Sequence, residues 1–203
     1  MPNADFFTRF GLFAAKGFFD TKLCAKFRCE MLSSTLSAAT LVDGYTTLER
    51  LKQNIRKTMH ADVSASTASF AKERLMALKP KLEEHFELSL DDCEKPQFLV
   101  YSEGSYFLPH TDGADEPGKP QYIRNRKVSI IIFLNEESDE PAPDAYCGGA
   151  LTFYRLIDKP EWKRYGFHLN GETGLLIAFR SDILHEVTAV TSGTRFSIVS
   201  WLS

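Results

Sequence analysis

The feature that most limits the fold of this chain is a change of hydrophobic pattern near residue 90. After that point the sequence contains short runs of β-branched and aromatic residues, separated by clusters of Gly, Pro, Asn, Asp and Ser. Runs of this length and spacing are typical of strands in a β-barrel or a double sheet. The sequence therefore predicts strands at 97–102, 127–134, 150–154, 174–179 and 195–201.

Helical periodicity dominates the residues before this change. Segment 19–34 places apolar side chains at four-residue steps, and segment 66–86 carries a similar stripe, so each is expected to form an amphipathic helix. Pro80 lies inside the second segment and is expected to bend or divide its helix. We expect one α+β domain over 1–203, in which residues 1–90 form a helical support and residues 91–203 form a mainly β core.

Composition excludes several classes of protein. The chain has 203 residues, 43% of them hydrophobic, with a net charge of −3 and no block of Lys or Arg, which argues against nucleic-acid partners. No apolar run approaches the roughly 18 residues of a membrane span. Four cysteines without C-x-x-C pairing fit neither a zinc finger nor a disulfide framework, so we expect a reducing cytoplasm. Nothing in the sequence indicates an oligomeric state.

Three polar side chains are candidates for a metal site. His110 and Asp112 follow the predicted strand 97–102, and His185 follows the predicted strand 174–179. Residues i and i+2 of an extended segment point to the same face, so the first two can converge on one ion. An H-x-D triplet alone is more often a surface pair. Two histidines and a carboxylate with open positions opposite them, however, are the ligand set of non-haem Fe(II) oxygenases.

Arg195 begins the last predicted strand, ten residues after His185, and Ser197 shares its face. A guanidinium group binds a carboxylate with two parallel hydrogen bonds, and a hydroxyl can add another. An arginine one strand away from an iron site suits a dicarboxylate that chelates the metal at one end and pairs with Arg195 at the other. A salt bridge on a strand surface is the alternative interpretation of Arg195.

A series of runs in this order resembles the Fe(II)/2-oxoglutarate-dependent dioxygenase superfamily, and within it the prolyl 4-hydroxylase-like branch. The runs are YSEGSYFLPHTD, VSIIIFLN, CGGALTF, GLLIAF, HEV and TSGTRFSIVSW, and the resemblance covers residues 95–203. The resemblance implies a double-stranded β-helix, also called a jelly roll or cupin-like fold, with supporting N-terminal helices. It implies that His110, Asp112 and His185 bind Fe(II), and that Arg195 binds the C5 carboxylate of 2-oxoglutarate.

The resemblance also implies the other participants of the reaction. Tyr101, Ser129 and Ser197 are expected to line the 2-oxoglutarate pocket, and ascorbate is expected to act as the reductant. Phe133 departs from the family, because related hydroxylases often carry there a tyrosine whose hydroxyl contacts the C5 carboxylate. The implied reaction consumes O2, hydroxylates an unactivated C–H bond, and releases succinate and CO2.

The substrate is the least determined part of this prediction. A prolyl or other residue in a protein or peptide is the leading expectation, and a free amino acid or natural-product intermediate is the alternative. A zinc hydrolase and a jelly-roll binding module without activity are more remote. Loops 113–126 and 135–147 and segment 54–66 are expected to surround the metal, with Arg56 and Arg124 or Arg126 near a substrate carboxylate. The acidic run 135–149 is predicted to be an exposed loop. Attraction of a cationic substrate by its acidic residues is the alternative to a substrate carboxylate that pairs with arginine.

Overall fold

Two antiparallel sheets form the centre of the protein, which a computed structural model describes over residues 4–39, 55–113, 119–157, 159–162 and 165–203. The larger sheet has seven strands in the order β1-β11-β7-β14-β5-β4-β2, and the smaller has five in the order β10-β9-β12-β6-β3. A short pair, β8 and β13, lies beside them. The strands are β1 Leu12–Ala15, β2 Leu36–Ala38, β3 Arg56–Lys57, β4 Met59–Ala61, β5 Gln97–Tyr101, β6 Tyr106–His110, β7 Val128–Phe133, β8 Tyr146–Gly148, β9 Leu151–Tyr154, β10 Gly166–Leu169, β11 Leu176–Arg180, β12 His185–Val187, β13 Val190–Gly193 and β14 Arg195–Leu202.

Strand β7 lies in the middle of the larger sheet, and all six of its side chains are buried. Ile130 and Ile132 point to one side and join the cluster that the helices cover. Ile131 and Phe133 point to the other side and pack with residues of β9 and β10 from the smaller sheet. Because both faces are covered, this strand is apolar on both sides except at Ser129, whereas a half-exposed strand alternates. The predicted jelly roll is confirmed.

Two helices, α2 Thr21–Ser33 and α3 Ala65–Phe86, cover the outer face of the larger sheet. Two shorter helices lie elsewhere: α1 Ala4–Arg9, whose Phe7 packs with the cluster between the sheets, and α4 Gln121–Arg124. Asp20 caps α2 by accepting a hydrogen bond of 2.8 Å from the Leu23 N–H, as N-cap residues do. Phe27 and Met31 of α2 and Leu75 of α3 are buried in the shared core. Within the described parts of the chain, no helix has the length and apolar character that crossing a membrane requires.

The structure departs from the sequence-based prediction in two ways. Residues before position 90 also supply strands, of which β1 pairs with β11, β3 with β6, and β4 with β5. These strands have two to four residues, too few to show periodicity. Pro80 does not divide its segment, because Ala65–Phe86 is a single helix. Buried Leu75, Leu78 and Leu82 anchor the helix around the position of the proline.

Asn135, which follows β7, ties together two segments that lead to the functional residues. Its buried amide donates to the carbonyl oxygens of Asp144 and Thr194 at 3.1 and 2.8 Å. Its carbonyl oxygen accepts a hydrogen bond of 3.0 Å from the Phe196 N–H. The side chain therefore fixes the end of the acidic run and the start of β14 relative to each other.

We predict that Asn135→Ala lowers the free energy of unfolding by about 2 kcal/mol, because it leaves buried backbone groups without hydrogen-bond partners. Urea denaturation followed by tryptophan fluorescence measures this change. Gln121→Ala is the matched control, since it removes an exposed amide that donates to Asn125 at 2.7 Å and should change stability by less than about 0.5 kcal/mol. Equal losses in both variants would contradict a special contribution of Asn135.

Candidate active site

His110, Asp112 and His185 lie together at one end of the smaller sheet. His110 ends β6 and His185 begins β12, and the two are directly opposite each other in this antiparallel pair. Asp112 follows His110 by two residues. One possible ligand atom from each of the three side chains lies within 4.8 Å of the other two. The sequence spacing and one strand pairing together are sufficient to bring the three side chains to one point.

Backbone carbonyl groups orient both imidazole rings. Nδ1 of His110 is 2.8 Å from the Leu108 oxygen, and Nδ1 of His185 is 3.0 Å from the Ile183 oxygen. Since a carbonyl oxygen only accepts, each Nδ1 must carry the proton, which leaves the lone pair on Nε2. Each Nε2 faces a carboxylate oxygen of Asp112 at 3.5 Å. Two nitrogen lone pairs directed at a carboxylate are a donor set that a divalent cation fits.

Burial and the neighbouring side chains together determine the charges of His185 and Asp112. Burial lowers the pKa of His185 to about 4, assisted by neighbouring His110 and opposed by Asp112. Burial alone would raise the pKa of Asp112, but His185, His110 and a hydrogen bond from the Trp201 indole outweigh it and hold the pKa below its usual value. At neutral pH the His185 imidazole is therefore neutral and Asp112 is ionised, the states in which both bind metals.

Ser181 holds the loop that carries Asp112. Its carbonyl oxygen accepts hydrogen bonds of 3.0 and 2.9 Å from the N–H groups of Asp112 and Gly113. A Cβ at Gly113 would lie 2.5 Å from the Arg126 carbonyl oxygen, so only glycine fits there. Ser129 bonds to the Ser181 hydroxyl at 2.9 Å and is paired in register with Trp201. The structure thus brings Ser129 to the loop that carries Asp112, and its role in lining the 2-oxoglutarate pocket stays a prediction.

Arg195 is buried at the start of β14, with only 1% of its surface exposed. Its Nη1 donates to the Ser197 hydroxyl at 3.0 Å. The centre of the guanidinium lies 4.9 Å from the Tyr101 ring centroid and 5.0 Å from that of Phe133. Within the described ranges, Nε and Nη2 make no hydrogen bond, and no carboxylate lies within ion-pair distance of the group. A buried charge without a partner is costly, so this arrangement is suited to binding an anion.

Tyr146 lies near Arg195, and the sequence did not predict that it belongs to this site. It lies in the run 135–149, which was predicted to be an exposed loop, yet its side chain is 1% exposed and it begins β8. That prediction was wrong for the end of the run, because pairing with β13 draws these residues inward. The available signal was the following pair Gly148-Gly149, whose φ angles of 67° and 68° are accessible mainly to glycine.

A cavity of about 290 Å3 adjoins the three convergent side chains. Leu99, Val199 and Trp201 are among its apolar lining residues. Arg56 lines it as well, with its guanidinium 4.7 Å from the Phe107 ring centroid. Arg56 Nε is buried and forms no hydrogen bond to any part of the chain that the structure describes. The cavity therefore combines apolar walls with a cation.

Arg126 and Arg124 were also predicted to lie near a substrate carboxylate, but neither offers an unpaired charge to the cavity. Arg126 lines the cavity, but its charge is paired with Glu94 through contacts of 2.5 and 2.7 Å. Arg124 is exposed and does not line the cavity. Of the segments expected to surround the metal, residue 54 and residues 114–118 lie outside the described ranges. Arg56 is therefore the better placed of these arginines to meet an anionic substrate group.

Comparisons with known proteins place this geometry in a family. Residues 96–203 match the model of the 2OG-Fe(II) oxygenase superfamily. A PKHD-type hydroxylase of Acaryochloris marina is 30% identical over 188 residues, which are 90% of this chain and 75% of the relative. A second PKHD-type hydroxylase, of Crocosphaera subtropica, is 28% identical over 84% of this chain and 71% of its own length.

Solved structures are similar in fold. A prolyl-4-hydroxylase of Pseudomonas putida superposes with a TM-score of 0.63 at 20% identity, covering 95% of this chain and 91% of the other. A Trichoplax adhaerens prolyl hydroxylase, solved with a peptide fragment of hypoxia inducible factor, gives 0.65 at 19% identity, covering 95% and 83%. The chain belongs to the 2OG-Fe(II) oxygenase superfamily, a family of dioxygenases that use Fe(II), 2-oxoglutarate and O2, and it is similar in sequence to PKHD-type hydroxylases and in fold to prolyl hydroxylases.

Proposed function

We propose that His110, Asp112 and His185 hold the catalytic Fe(II), and that Arg195 binds the C5 carboxylate of 2-oxoglutarate with Ser197 and Tyr101 beside it. The observation that supports this proposal is that a set of possible metal ligands and a buried cation occur in the same sheet interior. A carboxylate faces two imidazole lone pairs at 3.5 Å, and the same sheet interior holds a buried guanidinium with two donors to which no described residue bonds. A dicarboxylate that chelates a metal satisfies both ends.

Fe(II) held by His110, Asp112 and His185 would supply oxidative chemistry, in which O2 hydroxylates a substrate C–H bond and converts 2-oxoglutarate into succinate and CO2. The protein positions and shields the reactants. The Leu108 and Ile183 carbonyl groups fix the rotation of the imidazoles, and the Trp201 indole holds the Asp112 carboxylate. Apolar residues of the cavity exclude water, which strengthens electrostatic contacts inside.

The proposed substrate is a prolyl or other residue within a protein or peptide. The cavity of about 290 Å3 is at the lower limit of the roughly 300–1,000 Å3 usual for enclosed small-molecule pockets. It suits a single side chain inserted from a longer polymer better than a large natural product. The Trichoplax relative, solved with a peptide fragment bound, supports this choice.

A free amino acid is the second candidate substrate. It is favoured by Arg56, a cavity-lining cation whose buried Nε makes no hydrogen bond to the described residues. The α-carboxylate of a free amino acid matches this group, whereas a residue inside a peptide has no free α-carboxylate. The choice between the two candidates therefore depends on what Arg56 binds.

We propose ascorbate as the reductant that keeps the iron in the Fe(II) state, and the cytoplasm as the compartment. Cys24, Cys29, Cys93 and Cys147 are all free thiols, which agrees with a reducing environment. Succinate formation with and without ascorbate measures the first of these proposals.

We predict that Asp112→Ala lowers metal affinity by at least about 100-fold, since loss of a group that only supports a ligand already costs 10- to 100-fold. Titration with Fe(II) under anaerobic conditions measures affinity, and succinate formation from 2-oxoglutarate measures turnover. Asp182→Ala is the control, because this aspartate is exposed beside Arg180 and should leave both unchanged. Unaltered metal binding in Asp112→Ala would remove the basis for this site.

We predict that Arg195→Met weakens 2-oxoglutarate binding by about 100-fold or more, because two charge-assisted hydrogen bonds are lost. Metal affinity should not change, since Arg195 touches none of the three metal ligands. Calorimetric titration of 2-oxoglutarate into Mn(II)-loaded protein measures the first quantity. Arg180→Met, at an exposed position, is the control. Loss of metal with retained 2-oxoglutarate binding would show that the role of Arg195 is misassigned.

We predict that products gain 16 mass units when the enzyme is screened against proline-containing peptides, and that Arg56→Ala leaves KM for the best peptide within a factor of about two. Lys57→Ala, on the same strand, is the control. If a free amino acid is hydroxylated instead, and Arg56→Ala raises its KM by about 10-fold or more, the second candidate is the substrate class.

A further inference from the structure

Tyr146 presents an unused hydroxyl group beside the buried arginine. Among the described residues, five buried side-chain atoms lack a hydrogen-bond partner, and three of them are the Tyr146 hydroxyl and the Nε and Nη2 atoms of Arg195. Burying a hydroxyl without a partner costs free energy. Three buried polar atoms without partners in one place indicate a binding site for a ligand more strongly than a single such atom does.

The surroundings of two glycines show that the side chains of Tyr146 and Arg195 lie close together. A Cβ added at Gly149 would lie 3.2 Å from Arg195 Cδ and 3.3 Å from Tyr146 Cε2. A Cβ added at Gly171 would lie 2.1 Å from the Tyr146 hydroxyl oxygen and 2.8 Å from Phe133 Cδ1. Phe133 in turn packs against the guanidinium. The phenol and the guanidinium therefore share one small space, which the side-chain-free Gly149 and Gly171 keep open.

The backbone fixes Tyr146 in this place. Tyr146 of β8 is paired with Gly193 of β13, two residues before Arg195. Gly193 has a φ of 75°, and a Cβ there would lie 2.6 Å from the Ala145 carbonyl oxygen. This close approach requires glycine. Tyr146 is thus held by strand pairing opposite Gly193, two residues before Arg195 begins β14, so both side chains start from paired strands.

Tyr146 remains a proton donor at all physiological pH values. Burial raises the pKa of Tyr146 to about 12, and Glu137 adds to the rise while Arg195 opposes it. Glu137 itself has a raised pKa, mainly through burial, and its carboxylate accepts a hydrogen bond of 3.4 Å from the Gly171 N–H. A neutral phenol can donate to an anion that the guanidinium attracts.

We propose that the Tyr146 hydroxyl donates a hydrogen bond to the C5 carboxylate of 2-oxoglutarate and thereby selects a dicarboxylate co-substrate. This inference rests on the proposed role of Arg195. A carboxylate has about four lone-pair positions, of which Nε and Nη2 of Arg195 occupy two and Tyr146 a third. Phe133 has no hydroxyl to offer, and Tyr146 supplies one from the neighbouring strand pair.

The test is Tyr146→Phe, which removes one oxygen atom and keeps the ring. The affinity of Mn(II)-loaded protein for 2-oxoglutarate should fall by about 10- to 100-fold, the value of one hydrogen bond to a charged group. Affinity for 2-oxobutanoate, which lacks the C5 carboxylate, should stay within about two-fold of the wild-type value. Tyr165→Phe, at a position that is 67% exposed, is the matched control and should leave both affinities unchanged.

Thermal unfolding separates this role from a structural one. Without 2-oxoglutarate, Tyr146→Phe should have a Tm equal to or above that of the wild type, because an unpaired buried hydroxyl is removed. The increase of Tm on adding 2-oxoglutarate should shrink, because ligand stabilisation follows affinity. A lower Tm without ligand, together with unchanged 2-oxoglutarate affinity, would overturn the inference.

Failure of this inference is distinguishable from failure of the proposed function. If wild-type protein binds 2-oxoglutarate and Arg195→Met does not, equal affinities of Tyr146→Phe and wild type would overturn only the role of Tyr146. If the Mn(II)-loaded wild type binds no 2-oxoglutarate, the proposed function itself fails and this inference fails with it.

Discussion

The antiparallel pairing of β12 with β6 places His185 directly opposite His110, and the chemistry of the site depends on this register. A shift of one residue would turn either imidazole to the other face of the sheet, because side chains alternate along a strand. The carbonyl groups of Leu108 and Ile183 add a second constraint, since each lies two residues before a histidine and holds its Nδ1. Register sets where the rings are, and these hydrogen bonds set which nitrogen faces inward.

Strand β14 connects the two ends of the site. Arg195, Ser197, Val199 and Trp201 occupy alternate positions and therefore share one face, which points into the sheet interior. Trp201 bonds to the carboxylate of Asp112 at one end, while Arg195 places a positive charge at the other. The charges have opposite sign and are joined by a continuously hydrogen-bonded strand. In the proposed function, this scaffold would hold a dicarboxylate in one orientation, with its metal-chelating end toward Asp112.

The sequence predicted well the features that depend on residues close together in the chain, and poorly those that depend on contacts between distant segments. Local periodicity placed helix α3 and the central strands well, because apolar spacing reflects which face is buried. The two-residue spacing of His110 and Asp112 also predicted that their side chains point toward the same place. The contact of Ser129 with Ser181 was not predicted, because the two residues are 52 positions apart and are brought together by the pairing of β7 with β11. Tyr146 was missed for the same reason: an acidic, proline-containing run looks solvent-exposed until its pairing with β13 is known.

The hydrogen bonds of Asn135 hold one end of the site independently of the other end. Its side chain binds both the segment that leads to Tyr146 and the residues on either side of Arg195, and it touches none of the three convergent metal-site residues. In the proposed function, the co-substrate end thus has its own anchor in the fold, separate from the Ser181 anchor of the Asp112 loop. A substitution at position 135 would then alter 2-oxoglutarate affinity while leaving the metal ligands in place, so the two ends of the site could be adjusted independently.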